Sequence, residues 1–294
     1  MTKRTQAMYC AMLRYIAEKA ADVFNIQLTP TRILTDFEKA AINAFDEIFP
    51  SAVVTGCHFH LGQSVMRKVN ELGLKTIYTS DQDFALHARM LYGLAYVPTA
   101  DVPTALELIR ATMPAVGQPL VQYFDSTYVN GSVRRPPMFH PAMWNVAELF
   151  EHTLPTTSNH VEAWHRRLQT VIVIDHPSFY VCLHKLRQEQ RRTEIALMRC
   201  NNGFRRTRQR RSTTEHTQRL TTLMSDLRCG RKNLTAFLRG VGHAFGKSDA
   251  EGEDADVANS DEEDGSQQVS SRNADLAANV HVGYFTFYLA KSYA

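Results

Sequence analysis

The sequence predicts an α/β fold in which a small parallel sheet opens the chain and helices supply most of the remainder. Three observations carry this expectation. Two short, apolar, β-branched stretches, Arg32-Ile33-Leu34-Thr35 and Ala52-Val53-Val54-Thr55, alternate with amphipathic helical patterns. From about Asp81 the strand signal disappears, and apolar residues recur at helical spacing. Hydrophobic residues make up 44% of 294 residues, enough to bury the core of one large domain or two ordinary ones.

Taken in order, Thr5 to Phe24 reads as a helix, with Met8, Met12, Tyr15, Ile16 and Ala20 near a 3.6-residue period, and Asn25 to Pro30 breaks it. The first strand ends at Asp36. Phe37 to Phe49 then places Phe37, Ala41, Ala44, Phe45 and Ile48 on one helical face, and Pro50 marks its end. The second strand ends at Gly56-Cys57. Leu61, Val65, Val69 and Leu72 line the next helix, and Gly73 sits where a left-handed C-terminal residue is wanted. Strand, helix, strand, helix at this spacing favours a parallel pair joined by a right-handed crossover.

Beyond Asp81, helices are expected before Pro98, before Pro114 and over Leu120 to Tyr128, with Arg134-Arg135-Pro136-Pro137 as a loop. Asn159 to Arg167 begins another helix, Pro177 to Met198 a long basic one, and Leu220 to Phe245 a further one. Ser248 to Asn279 is acidic and poor in apolar residues, the composition of disorder. Tyr284 to Leu289 is apolar and isolated, either a docked strand or an accidental tail.

The net charge of +3 conceals an asymmetry. Ser248 to Ala294 carries ten acids and two bases, a net of −8, which leaves 31 bases and 20 acids, a net of +11, on the rest. A basic body with an acidic tail suits either a polyanion-binding protein or an ordinary solvated surface. Five dispersed cysteines argue against a secreted disulfide framework. No run of about 18 apolar residues is present, so no membrane span is expected, and the N-terminus does not read as a secretory signal.

Three motifs are candidates for chemistry. Asp36 ends a buried strand, where α/β sheets place ligands, and its carboxylate suits Mg²⁺ or Mn²⁺. It could equally cap the helix that follows. Cys57-His58-Phe59-His60 has C-x-x-H spacing, half of a Zn²⁺ site, or else a buried thiol beside a capping histidine. In Asn159-His160-Val161-Glu162-Ala163-Trp164-His165, Glu162 stands either in a capping box with Asn159 or as a further metal carboxylate. His160 and His165 have spacing that is marginal for a metal pair.

In this order the motifs resemble the Mutator-like (MULE) transposase domain. The resemblance is carried by Thr31-Arg32-Ile33-Leu34-Thr35-Asp36-Phe37-Glu38-Lys39-Ala40-Ala41 and Gly56-Cys57-His58-Phe59-His60. Tyr123-Phe124, Trp144-Asn145, Leu154-Pro155 and Asn159 to His165 continue it, so that it spans about Met1 to Gln190.

The resemblance implies an RNase H-like fold with three catalytic carboxylates. Asp36 would be the second, Glu162 the third, and Cys57 and His60 the C-x-x-H signature. The family's helical insertion would account for the 126 positions between Asp36 and Glu162. The implied division is the second half of the core over 1–80, the insertion over 81–152 and core-completing helices with the third acid over 153–200. A basic helical or linker segment over 201–247 and a disordered acidic tail over 248–294 follow.

Two departures from the family matter. Its first Asp lies on an opening strand, whereas no Asp here precedes Asp22, which sits within or at the end of a helix. A partial core lacking the first strands, and so the first metal ligand, is therefore expected. Thr156 and Ser158 also stand where the family has an Arg and an Asn. The resemblance implies transposition through Mg²⁺-dependent strand cleavage, with this chain inactive alone.

Arg187, Arg191, Arg192 and Arg199, with the run Arg205, Arg206, Arg208, Arg210 and Arg211, are candidate contacts to double-stranded DNA at transposon ends. The run also resembles a nuclear localisation signal, which implies a nuclear protein, and a homo-oligomer is a further expectation. Two competing readings remain: a non-enzymatic DNA-binding or protein-interaction domain, and a zinc-binding structural module built on Cys57 and His60.

Overall fold

The computed structural model describes residues 4–157, 167, 170–172, 178–204, 211–252 and 284–286. Helix α1 (Gln6–Phe24) is started by Thr5, whose side chain accepts from Met8 N, and is stopped by Asn25 in the left-handed conformation at φ 53°. Strand β1 (Arg32–Thr35), α2 (Lys39–Ile48), β2 (Val53–Gly56) and α3 (His58–Glu71) follow. The strands pair in parallel, with Ile33 opposite Val54 and Thr35 opposite Gly56. Gly73 adopts φ 71°, the left-handed position expected after α3.

The fold is mostly helical beyond this unit. Helices α4 (Lys75–Ser80), α5 (Gln82–Gly93), α6 (Val102–Thr112) and α7 (Gln118–Phe124) come first. A π-helical turn over Asp125–Val129 extends α7, so the helix expected over Leu120 to Tyr128 changes pitch at Asp125 and ends at Val129. Two short helices, α8 (Pro141–Trp144) and α9 (Ala147–Glu151), then lead into the segment ending at 157.

Helix α10 (Phe179–Asn201) is the long basic helix expected from the sequence. Phe179, Tyr180, Ile195 and Leu197 are exposed on it, and its one buried residue is Glu189. The single helix expected over Leu220 to Phe245 is instead two, α11 (Arg211–Arg228) and α12 (Leu234–Gly252). Gly230 at φ 69° ends the first, and the Asn233 side chain caps the second through Ala236 N at 2.8 Å. Because α12 runs to Gly252, the segment starting at Ser248 opens as helix. Residues 253–283 lie outside those described. The sheet's last strand, β3 (Tyr284–Thr286), pairs in parallel with the other edge of β1, giving the order β2-β1-β3. Of the apolar C-terminal stretch, Tyr284–Thr286 thus forms a docked strand.

Two apolar clusters hold the fold. The smaller joins Tyr9, Cys10 and Leu13 of α1 to Ile33 of β1 and to Ala41, Ala44 and Phe45 of α2. The larger runs from Leu61 and Val65 of α3 through Phe84 and Leu91 of α5 and Trp144 of α8 to Leu220, Phe237 and Phe245 of α11 and α12. Helices α5 and α12 pack closely because Gly242 leaves no side chain between them: a Cβ there would sit 2.8 Å from Leu86 Cδ1 and 3.2 Å from the Leu86 carbonyl oxygen.

Candidate functional site

Asp36 follows the last residue of β1 and is half-buried. Its Oδ1 accepts from Glu38 N at 3.3 Å, closing a short turn. The helix begins at Lys39, with Glu38 extended as its N-cap residue, and not at Phe37. Asp36 therefore holds the turn before the helix and does not cap the helix itself.

Phe37 fixes that turn. Its ring meets Tyr128 edge-on at 5.6 Å and Phe139 at 5.0 Å. Gly56, at the end of β2, supplies the room, since a Cβ there would lie 2.7 Å from Phe37 Cζ. Gly56→Ala is expected to push the ring out of its aromatic seat, to cost about 1–3 kcal/mol, and to shift the Asp36 turn. Urea denaturation checks the first effect and the Glu38 amide resonance the second; an unchanged midpoint would show that Phe37 yields freely.

The next residues knit the carboxyl end of the sheet. Cys57 N donates to Thr35 O at 2.8 Å, and His58 N donates to Thr156 O at 3.0 Å. The Tyr96 hydroxyl shares a hydrogen bond with the Thr156 side chain. The structure thus brings together the segments after β1 and β2 and the one that leads, six positions later, to Glu162. Glu162 itself, like His160 and His165, lies outside the described residues.

Cys57 is fully buried at the N-terminus of α3, and no side chain caps that helix. His58 is a core residue. Its Nε2 bonds the Tyr92 carbonyl at 3.1 Å, so Nε2 carries the proton, and its ring packs against Tyr96 and Phe245. Burial, with a smaller contribution from His216, pushes its pKa down to about 4, so the ring is neutral near pH 7. His60 is buried and meets Phe59 edge-on. Among the described residues, no group of three or more His, Cys, Asp or Glu side chains is placed to hold a metal ion.

Around Asp36, Tyr9 of α1 donates its hydroxyl to Glu38 Oε1 at 2.7 Å, and Arg4 lies 4.0 Å from Glu38 Oε2. Burial raises the Tyr9 pKa well above its usual value, with the bond to Glu38 and the charges of Glu38 and Asp36 adding to the rise. Glu38 is therefore engaged by α1. Tyr9 carries no functional mark in the sequence, where it looks like one more apolar position of α1. Thr156 stands out there only as a departure from a motif.

Arg187, Arg191 and Arg199 are exposed on α10. Arg192, on the same helix, is also exposed, but it pairs with buried Glu189 at 3.4 Å, as does Arg167. Arg211 opens α11 and pairs with Glu215 at 2.8 Å. Arg205, Arg206, Arg208 and Arg210 lie outside the described residues.

Residues 1–64 match the family model of the MULE transposase domain. This part of the chain is similar to the MULE transposase domain. The matched stretch takes in α1, β1, α2, β2 and the first half of α3, and with them Asp36, Cys57 and His60. The MULE-like resemblance read as far as Gln190 extends past this match, and Glu162 belongs to that further part. No curated protein and no solved structure matches the chain.

Proposed function

We propose that this transposase-derived chain keeps the DNA-binding side of its ancestry and, taken alone, does not cleave DNA. The observation that carries the reading is Asp36: a half-buried carboxylate after a parallel strand, inside the MULE-matched stretch. Hard oxygens of this kind suit Mg²⁺ or Mn²⁺, and Asp36 with Glu162 would hold the ion. Among the described residues no group of three His, Cys, Asp or Glu side chains is placed to hold an ion, and Glu162 lies outside them. When bound, such ions activate an attacking hydroxyl and stabilise the leaving oxygen of a phosphodiester. Within the chain, Phe37 and the Glu38 amide hold Asp36 in place, and Thr156 ties the Glu162-bearing segment to the start of α3.

The basic residues of α10 and the run 205–211 supply the DNA contact in this reading, and the same run suits a nuclear protein. Arg187 and Arg191, one helical turn apart, are exposed and make no ion pair among the described residues, which leaves them available to backbone phosphates.

The pure full-length chain is expected to bind duplex DNA in a salt-dependent way and to give no nicking with Mg²⁺. Arg187→Gln with Arg191→Gln should flatten the slope of log K against log salt by about 2, at roughly 0.9 for each phosphate no longer neutralised. The Asp36→Ala, Glu162→Ala double variant should bind as the parent does. Mg²⁺-dependent nicking abolished by Asp36→Ala would overturn the inactivity, and failure to bind duplex DNA at low salt would overturn the reading as a whole.

A further inference from the structure

Arg89 lies in the middle of α5 and is only 9% exposed. Its Nε donates to Gly242 O at 2.9 Å, its Nη1 lies 3.5 Å from the Tyr78 hydroxyl, and its guanidinium sits 5.9 Å from the centre of the Tyr78 ring. None of these partners carries a negative charge, and among the described residues no carboxylate pairs with it. Burying a full positive charge against neutral groups is costly, and buried arginines are ordinarily matched by an anion.

Arg89 lines an open cleft of about 630 Å³ between α5, α11 and α12. Arg219 of α11 and His243 of α12 line the same cleft, with Gln82 at the start of α5. Arg219 makes no ion pair among the described residues, and the lining contains no carboxylate. Among the acids of α5 and α11 whose side chains are described, Asp81 caps α5, Asp83 faces His87 at 3.6 Å, and Glu215 is held by Arg211. Glycine makes the cleft possible. A Cβ on Gly246 would lie 2.9 Å from Arg89 Cζ, and one on Gly240 would lie 2.6 Å from Leu223 Cδ2, so side chains at these positions would crowd the guanidinium and the wall. Burial, and secondarily the positive charges of Arg239 and Arg89, holds the His243 pKa below its ordinary value.

We propose that this cleft is a phosphate-binding site in which Arg89, Arg219 and His243 converge on one oxyanion, supplied by the DNA backbone. The guanidinium fork of Arg89 is preoriented by its bonds to Gly242 and Tyr78, so little freedom is lost on capture. Arg219 and His243 close on the anion from the two neighbouring helices. The DNA source rests on the function proposed above, whereas the phosphate chemistry does not.

The test uses the full-length chain, Arg219→Gln and Arg89→Lys. Inorganic phosphate is expected to raise the Tm above that in chloride of equal ionic strength, and Arg219→Gln should weaken this apparent phosphate affinity about tenfold or more. Arg219→Gln should also flatten the salt slope of duplex DNA binding by about 1. Arg89→Lys keeps the charge but loses the fork, and is expected to weaken phosphate as well. Phosphate protection lost in Arg219→Gln, with no DNA binding by the parent, would keep the site and assign it to free phosphate. DNA binding that is unchanged in Arg219→Gln, with no phosphate-specific protection of the parent, would overturn the site and leave the DNA reading standing. No response to either ligand would sink both.

Discussion

Trp144→Ala is expected to lower the unfolding free energy by about 3–5 kcal/mol, the largest effect of any single truncation proposed for this chain. Trp144 is fully buried. Its Nε1 donates to Tyr128 O at 2.9 Å and to Phe139 O at 3.2 Å, and its ring meets Phe124 edge-on at 5.7 Å. Truncation leaves a large cavity and deprives two buried carbonyls of their donor. The damage should also travel. Tyr128 and Phe139 stack on each other and together seat Phe37, the residue after Asp36. Trp144→Ala should therefore disturb the Asp36 turn as well as the core, whereas Trp144→Phe, which keeps most of the volume, should cost less. Chemical denaturation read by circular dichroism measures both. A loss below about 1 kcal/mol for the alanine variant would mean that the cluster repacks around the hole.

This aromatic seat shows where sequence reading reaches its limit. The strand from Arg32 to Thr35, its parallel partner and the left-handed Gly73 were all legible, because each rests on a pattern local to a few residues. Phe37 reads in the sequence as part of the α2 apolar face. It belongs instead to a cluster with residues about ninety to a hundred positions away, which no local period reveals. The division between α11 and α12 had local signals, Gly230 and the capping Asn233, but the apolar positions from Leu220 to Phe245 masked them. Arg89 falls in a run of apolar helix, and only the packing of α12 over it makes its charge consequential. The candidate acid at Asp36 stood out because the end of a buried strand is where α/β sheets place ligands. Its neighbours Tyr9 and Thr156 carry no such mark: their roles come from hydrogen bonds across 29 and 98 positions.

His58 is expected to make the fold acid-sensitive in a defined window. Burial lowers its pKa from 6.5 to about 4, with His216 adding to the effect. The unfolded chain thus binds a proton near pH 6.5 that the folded chain accepts only near pH 4. Stability from this residue is fully present above pH 6.5 and is lost as the pH falls toward 4. At about 1.36 kcal/mol per unit, the loss over that window is about 3 kcal/mol. A protonated ring would have to charge amid Tyr96, Tyr92 and Phe245, where no carboxylate is among its ring contacts. His58→Gln removes the titration, and its side-chain amide can still donate to the Tyr92 carbonyl. The gap in stability between parent and variant should therefore narrow by about 3 kcal/mol between pH 6.5 and 4, measured by urea unfolding at each pH. A gap that stays constant with pH would show that His58 is not held neutral by the core. The neutral, core-packed role assigned to His58 would then have to be abandoned.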